Sequence, residues 1–462
     1  MNNYLLKLKP MTAVILSLLT VFILGFTMIG LGWVPQISIL AVIVMLLLFG
    51  LINKIPFKNM QEGMASGLMS GIGAVYLFFF IGLLVSALMM SGAIPTLMYY
   101  GLSVISPELF YISAFALSSV VGIALGSSLT TTATIGVAFI GMASAFGANP
   151  AIVAGAVVSG AFFGDKTSPL SDTTTIAASV VGIDMFAHIR NMLYTTIPAW
   201  ILTALFLWFL TEPTDAQNLA NIENLKTNLQ ETGLIHGYSL LPFVTLILMA
   251  MKRVNSIYII VTTVTLSLII TYIHSSPTLE QLGNYFFTGY KPVEGVDLGE
   301  VASLVSRGGI NSMFFTVTIV VLALSLGGLL QILGILPALL KGISSFLTNT
   351  GRVTFVVAST AVGINVLIGE QYLSLLLSGN TFRSTYEHLG LELKNLSRTI
   401  EDAGTVINPL VPWSVCGVFI SSVLNVPVLD YLPYAFFCYI CLILTLIFGF
   451  TGVTISKKPT KT

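Results

Sequence analysis

The chain has 462 residues, of which 55% are hydrophobic and only 8% charged, with 19 Lys+Arg against 19 Asp+Glu. Soluble domains carry roughly 25% charged residues, so this sequence cannot cover a water-facing surface and reads as an integral membrane protein. Its charge balance excludes a basic nucleic-acid binder or an acidic solvating chain, and the absence of a G-x-x-x-x-G-K-[ST] loop argues against ATP as an energy source.

Lys7 and Lys9 precede an uncharged run from Pro10 to about Pro35, too long for a signal peptide, which predicts the first span. Runs apolar enough to cross a bilayer then cover roughly 11–33, 36–52, 66–91, 191–211, 237–251, 255–273, 309–333 and 431–455. From Leu109 to Gly164 there are 56 uncharged residues, broken at Gly126-Ser127-Ser128 and again at Gly147-Ala148-Asn149-Pro150. Region 353–429 behaves likewise, with breaks at Gly369-Glu370-Gln371 and at Asn408-Pro409-Leu410-Val411-Pro412.

These two regions belong to a weak internal repeat. A shift of 242 places Gly67 on Gly309, Ser70 on Ser312, Gly92 on Gly334 and Pro95 on Pro337; shifts of 243 and 240 place Gly126 on Gly369 and Pro169-Leu170 on Pro409-Leu410. Each half reads as three spans, a helical hairpin, a broken span and a final span. The expected fold is therefore an all-α polytopic membrane protein of about ten spans plus two hairpins, with repeats at 1–211 and 236–462 and an extracellular linker at 212–235. Five crossings per half is an odd number, so the repeats are expected to be inverted, with a binding site between them near the midplane. With the N-terminus inside, fifteen Lys and Arg fall on the cytoplasmic side, Arg398 among them, and three (Lys226, Lys291, Arg307) outside. That bias predicts cytoplasmic N- and C-termini in the cytoplasmic membrane. Whether each hairpin re-enters or fully crosses does not alter the parity.

Charges within spans cost about 2.5–3.5 kcal/mol each near the bilayer centre, and the segment Gly164-Asp165-Lys166-Thr167-Ser168-Pro169-Leu170-Ser171-Asp172-Thr173-Thr174 places three of them in eleven residues. Pro169 removes a donor and frees carbonyls, and with carboxylates and hydroxyls these are the hard oxygen ligands an alkali cation takes. Asp172, followed by Thr173 and Thr174, is the first choice for an ion- or proton-binding carboxylate and for Na+. Asp165 and Ser168 stand beside it, and the bland alternative pairs one Asp with Lys166. The hairpin tip offers Ser127, Ser128, Thr130 and Thr131, or else those hydroxyls bond back to the preceding turn. In the second half Asn365, Glu370, Gln371 and Asn408 are the corresponding candidates, while Glu401 and Asp402 are expected nearer the cytoplasmic surface. Gly155, Ser159, Gly160 and Gly164 read as close helix packing. His188, His236, His274 and His388 fall near span ends, where solvated roles are expected, and Cys438-x-x-Cys441 is one face of a helix rather than a redox pair.

The run GDKTSPLSDTT (164–174), with GSSLTTTATIG (126–136) upstream, resembles the NhaC family of sodium/proton antiporters over most of the chain. The resemblance implies exchange of Na+, with Li+ as a companion ion, for H+, and its signature carries over onto Asp165, Ser168, Pro169, Asp172 and Thr173. Leu129 stands where that family often has an aromatic residue. Relatives resembling malate/lactate exchangers and amino-acid transporters leave a small organic solute as the alternative substrate, held by Lys166 and the hairpin N–H groups. In the mechanism expected, Na+ and H+ compete for Asp172 while the hairpin-bearing part rocks. The expected partners are membrane lipid, Na+ and H+, with a small organic substrate or a second copy of the chain as candidates. No cofactor and no enzymatic activity are expected, since there is no H-E-x-x-H and no His well inside a span.

Overall fold

The computed structural model describes residues 5–211, 216–292, 300–342 and 349–458. In chain order the first half comprises α1 (Pro10–Gly25, continued by a π-turn Phe26–Gly30), α2 (Pro35–Ile52), α3 (Phe57–Ser70), α4 (Ile72–Met90), α5 (Ala93–Val104), α6 (Phe110–Leu125), α7 (Ser128–Thr131), a π-turn Thr132–Gly136, α8 (Val137–Met142), α9 (Pro150–Thr167), α10 (Asp172–Val181) and α11 (Met185–Phe209). Beyond α12 (Ala216–Glu231) follow α13 (Leu241–Met251), α14 (Ser256–His274), α15 (Leu279–Thr288), α16 (Glu300–Val305), α17 (Ile310–Ile332), α18 (Ile335–Gly342), α19 (Thr350–Ile368), α20 (Gln371–His388), α21 (Leu393–Ile400), a π-turn Glu401–Thr405, α22 (Val415–Leu424), α23 (Val428–Tyr431) and α24 (Phe436–Thr451). Among the described residues the only strand-like contact is one isolated bridge, Leu391 to Lys457.

Seven described helices are long and apolar enough to cross a membrane, and up to ten if each bent pair counts as one span. The order of long helix, short helix, hairpin, broken span and last span occurs twice, α4–α11 matching α17–α24. The polar stretch 212–235 is mostly the helix α12; its first residues, 212–215, lie outside the described residues. The span read at 66–91 is a bent pair, α3 and α4, broken at Gly71.

Local chemistry explains where these helices begin and end. Pro stands in the first turn of α1, α2 and α9, where its missing N–H costs nothing. Asn149 caps α9 by accepting from the Ala151 N–H at 2.9 Å. Inside the bundle, small residues let backbones meet: Gly164 and Gly160 of α9 lie against Gly122 and Phe115–Ser119 of α6, and Gly67 of α3 lies against Gly328 of α17. A Cβ at any of these glycines would run into main chain, so helix contact here depends on its absence. Among the seven helices long enough to span, α17 is the most enclosed, with most of its residues buried.

Candidate functional site

The two hairpins end in the same way. α6 stops at Gly126, whose left-handed φ of +62° closes the helix, and Ser127 then caps α7 by accepting from the Thr130 N–H at 3.3 Å. In the second half α19 stops at Gly369, with φ +76°, and Glu370 caps α20 by accepting from the Leu373 N–H at 2.7 Å. The left-handed conformation at each tip is one that only glycine enters without cost.

The break in each second span faces the hairpin of its own half. Ser168 precedes Pro169 and is extended, as that position requires. Its hydroxyl donates to the Ile123 carbonyl at 2.7 Å, fastening the break to α6. Ser171 then caps α10. In the second half Ser414 caps α22, and Asn408 donates to Asn365 Oδ1 at 2.9 Å and to the Gly369 carbonyl at 3.2 Å. Asn365 donates in turn to the carbonyls of Ala403 and Gly404. A π-turn shifts the helical hydrogen-bond pattern and is frequent at functional sites, and Asn365 satisfies two of its carbonyls.

At the centre lies Asp165, buried at 4% exposure. Ser128 of the hairpin donates to its Oδ2 at 2.6 Å and Ser171 of the break donates to its Oδ1 at 2.5 Å. Thr173 stands 2.9 Å from the Ser171 hydroxyl. One carboxylate thus ties two helix starts together through hydroxyls that also serve as cation ligands. Asp172 opens α10 and is exposed; the geometry gives Asp165 the enclosed position that the sequence reading gave to Asp172.

The remaining candidates divide by contact. Thr130 bonds Ser127, and Thr131 donates to the Ser127 carbonyl at 2.8 Å, so both stay within their own turn. Thr174 donates to the Asp165 and Lys166 carbonyls and closes the end of α9. Gln371 is buried beside the Glu370 cap.

Lys166 pairs with neither Asp of its own segment, contrary to the bland alternative that joined one of them to it. It is fully buried and forms an ion pair with Asp402, across from the other half, while donating to Thr195 at 3.1 Å. Asp402 also accepts from Thr195 at 2.9 Å and from Thr445. Asp402 and Glu401 were expected near the surface; both are 0% exposed, because the π-turn that carries them is packed among α10, α19, α20 and α24. Sequence reasoning set them aside because a charge at the end of a polar run resembles a loop residue. The available signal was that Glu401-Asp402 precedes an uncharged stretch, as Asp165-Lys166 follows one.

Two further expectations change. His188 is fully buried on α11 with its Nδ1 2.8 Å from the Ser397 hydroxyl of α21, rather than solvated. Arg398, placed among cytoplasmic loop charges, is 1% exposed and donates to Thr454 at 3.0 Å. Cys416, Cys438 and Cys441 are free and buried.

Repeated hairpins and broken spans, with a buried carboxylate between their helix ends, define a multi-pass membrane transporter. The chain matches the Na+/H+ antiporter family over residues 160–453. It is 37% identical to the Na(+)/H(+) antiporter NhaC of Alkalihalophilus pseudofirmus, over 92% of this chain and 92% of that one. To the Na(+)/H(+) antiporter NhaC of Bacillus subtilis it is 39% identical over 90% of this chain and 92% of that one. To the malate-2H(+)/Na(+)-lactate antiporter of Bacillus subtilis it is 32% identical over 95% of this chain and 94% of that one. The chain belongs to the Na+/H+ antiporter family.

Proposed function

We propose that this protein exchanges Na+ for H+ across the cytoplasmic membrane by alternating access, with Asp165 as the carboxylate for which the two ions compete. The observation that supports this reading most is the position of Asp165, held by a hairpin hydroxyl and a break hydroxyl in a place closed to water. When Na+ occupies the site, Ser128, Ser171 and Thr173 turn lone pairs toward it and the Asp165 carboxylate supplies the charge. When a proton takes its place, the neutral carboxyl and the hydroxyls bond one another and the site is closed without the ion. Neither state leaves a bare buried charge, which is what allows the site to cross the low-dielectric region. Asp172, on the exposed first turn of α10, acts as the nearby negative charge that draws the cation in.

The two repeats are inverted in this reading, and the Lys and Arg distribution supports cytoplasmic termini. Lipid surrounds the spans. The relatives' antiporter names support transport and not enzymatic chemistry. A small organic substrate is the weaker reading, because Lys166, the residue expected to hold its carboxylate, is engaged by Asp402.

The test is Na+-induced collapse of a respiration-driven pH gradient in everted vesicles, with no organic solute present. Collapse by wild type that Asp165→Asn abolishes is the expected result. Collapse that survives Asp165→Asn, or that begins only when malate, lactate or an amino acid is added, overturns the reading.

A further inference from the structure

A polar cavity of about 340 Å³ lies at the far end of α22 from the second break and takes no part in the exchange described above. The length of α22, roughly 15 Å of helix, separates it from the cap at Ser414. Among the described residues that line it, Arg307 alone is charged. Arg307 follows α16 and stands on backbone that is held on both sides. Its carbonyl accepts from the Tyr290 N–H at 3.2 Å, and the Gly309 N–H donates to the Gly82 carbonyl at 2.9 Å. A Cβ on Gly308, whose φ is +89°, would lie 2.4 Å from the Ser86 nitrogen. The guanidinium is therefore presented from a loop fastened to α4 and to the end of α15.

One bond accounts for part of this side chain. Its Nη1 donates to the Val423 carbonyl at 3.3 Å, a fitting place for a cation in the last turn of α22. A guanidinium carries five N–H donors in a planar fork, and among the described residues no carboxylate lies within ion-pair distance of it. A half-buried Arg without an anion, facing a cavity of ligand size, matches a carboxylate, which accepts two parallel bonds from the fork. The neighbouring polar groups define the rest of a guest. Ser306, Ser312 and Thr288 donate their hydroxyl protons to the carbonyls of Ala302, Gly309 and Asn284, at 2.6, 2.7 and 2.9 Å, and so offer a guest their lone pairs. The Asn425 amide has no partner among the described residues and offers both a donor and an acceptor. With no acid in the lining, an ammonium on the guest would lack a counter-charge, whereas its hydroxyls would find acceptors. Val85 and Met313 give apolar wall for a short carbon skeleton.

We infer that the Arg307 cavity is a binding site for a small hydroxycarboxylate, separate from the exchange carboxylate. The carboxylate of the guest sits on the Arg307 fork and the Asn425 amide, and its hydroxyls donate to Ser306 and Ser312. A guest held in this way bridges the end of α22 to the loop fixed by α4 and α15. The site stands whether or not Asp165 exchanges Na+.

The test is isothermal titration calorimetry of the full chain in an uncharged detergent at neutral pH, with glycerate, propionate and serine, which share one carbon count. Glycerate should bind. Propionate, which lacks the hydroxyls, and serine, which carries an ammonium, should each bind several-fold more weakly. Arg307→Gln should weaken glycerate by about tenfold or more, as loss of a charge-assisted pair implies. Should Arg307→Gln fail to fold for want of its bond to α22, Asn425→Asp serves instead. It keeps a residue that tolerates the left-handed backbone there, φ +57°, and sets a negative charge beside the fork, so glycerate binding should be lost. Asp165→Asn should bind glycerate as wild type does. Wild type that binds no glycerate, an Arg307→Gln or Asn425→Asp variant that binds it unchanged, or an Asp165→Asn variant that loses it overturns the site. Propionate or serine binding as tightly as glycerate overturns the ligand class, and so does chloride that displaces glycerate at equal concentration. Displacement by short-chain phosphatidylglycerol at a lower concentration than glycerate itself makes an anionic lipid headgroup the occupant and overturns the proposal as well.

Discussion

The two hairpins repeat a backbone and differ in chemistry. Gly126 and Gly369 make the same left-handed stop, and the next residue caps the returning helix by accepting from the N–H three residues on. Each tip also leans on the break of its own half, Gly126 on Leu170 and Ser171, and Gly369 on Trp413 and Ser414. Yet Ser127 performs the cap with a hydroxyl and Glu370 with a carboxylate, and only the first hairpin sends a donor, Ser128, to a buried Asp. In the second half the corresponding polar atoms, Asn365 and Asn408, bond one another and nearby carbonyls. A repeat preserves the geometry that makes two helix ends meet in a membrane, while the atoms pointing into that meeting place are free to diverge. In the exchange proposed above the first hairpin serves the ion, while the second braces the π-turn that carries Glu401 and Asp402.

This comparison breaks most sharply at the contact between the halves. Removing one partner of the Lys166–Asp402 pair leaves a buried charge alone, so Lys166→Met or Asp402→Asn should each cost about 3–5 kcal/mol. Fluorescence-detected thermal melting in detergent should show a large fall for each single variant and a much smaller one for the double variant. Next in size, Asp165→Asn should lower Na+-driven exchange by about 100-fold, as loss of a charged contact worth roughly 3 kcal/mol implies, with melting close to wild type. Asp172→Asn should only raise the half-saturating Na+ concentration several-fold. If the two variants behave the other way round, the exposed carboxylate binds the ion and the enclosed one is structural.

A Cβ at either hairpin tip must adopt a left-handed conformation, so Gly126→Ala and Gly369→Ala should each cost about 1–2 kcal/mol in the same melting assay. Equal costs would support a shared backbone device, and a cost at one tip alone would end the parallel. Smallest of all, Glu370→Gln keeps an acceptor oxygen for the Leu373 N–H, and exchange should retain its Na+ affinity within about threefold. A loss as large as that of Asp165→Asn would place the second hairpin in the ion site. Competition for one carboxylate also fixes the sign of pH dependence. The half-saturating Na+ concentration should rise as pH falls, by up to tenfold per unit in vesicle titrations.

Much of the fold was legible because membranes restrict what a chain can do. A span needs about twenty apolar residues, so the uncharged runs mark most of the spans. Gly126, Gly369, Pro169 and Pro409 mark the interruptions because their backbone chemistry stops a helix locally. Short helices such as α5 and α18 escaped, since a dozen apolar residues beside a longer run carry no boundary of their own. The charged segment 164–174 was recognisable as chemistry from its sequence cost alone. Which carboxylate is enclosed was not, because Asp165 and Asp172 lie seven positions apart with a break between them, and helical periodicity does not run through a Pro.

The sequence by itself determined that this is a multi-pass, all-helical protein with two interrupted regions per chain and a concentration of charge at the first break. Only the tertiary structure decided the partners. Lys166 meets Asp402, 236 positions away, and Thr195 meets the same carboxylate. Hydropathy and local propensity act over a few turns of chain, whereas the pairing of buried charges depends on which faces of distant helices pack together. In a medium that penalises every unpaired charge, that packing assigns each ionisable group its role.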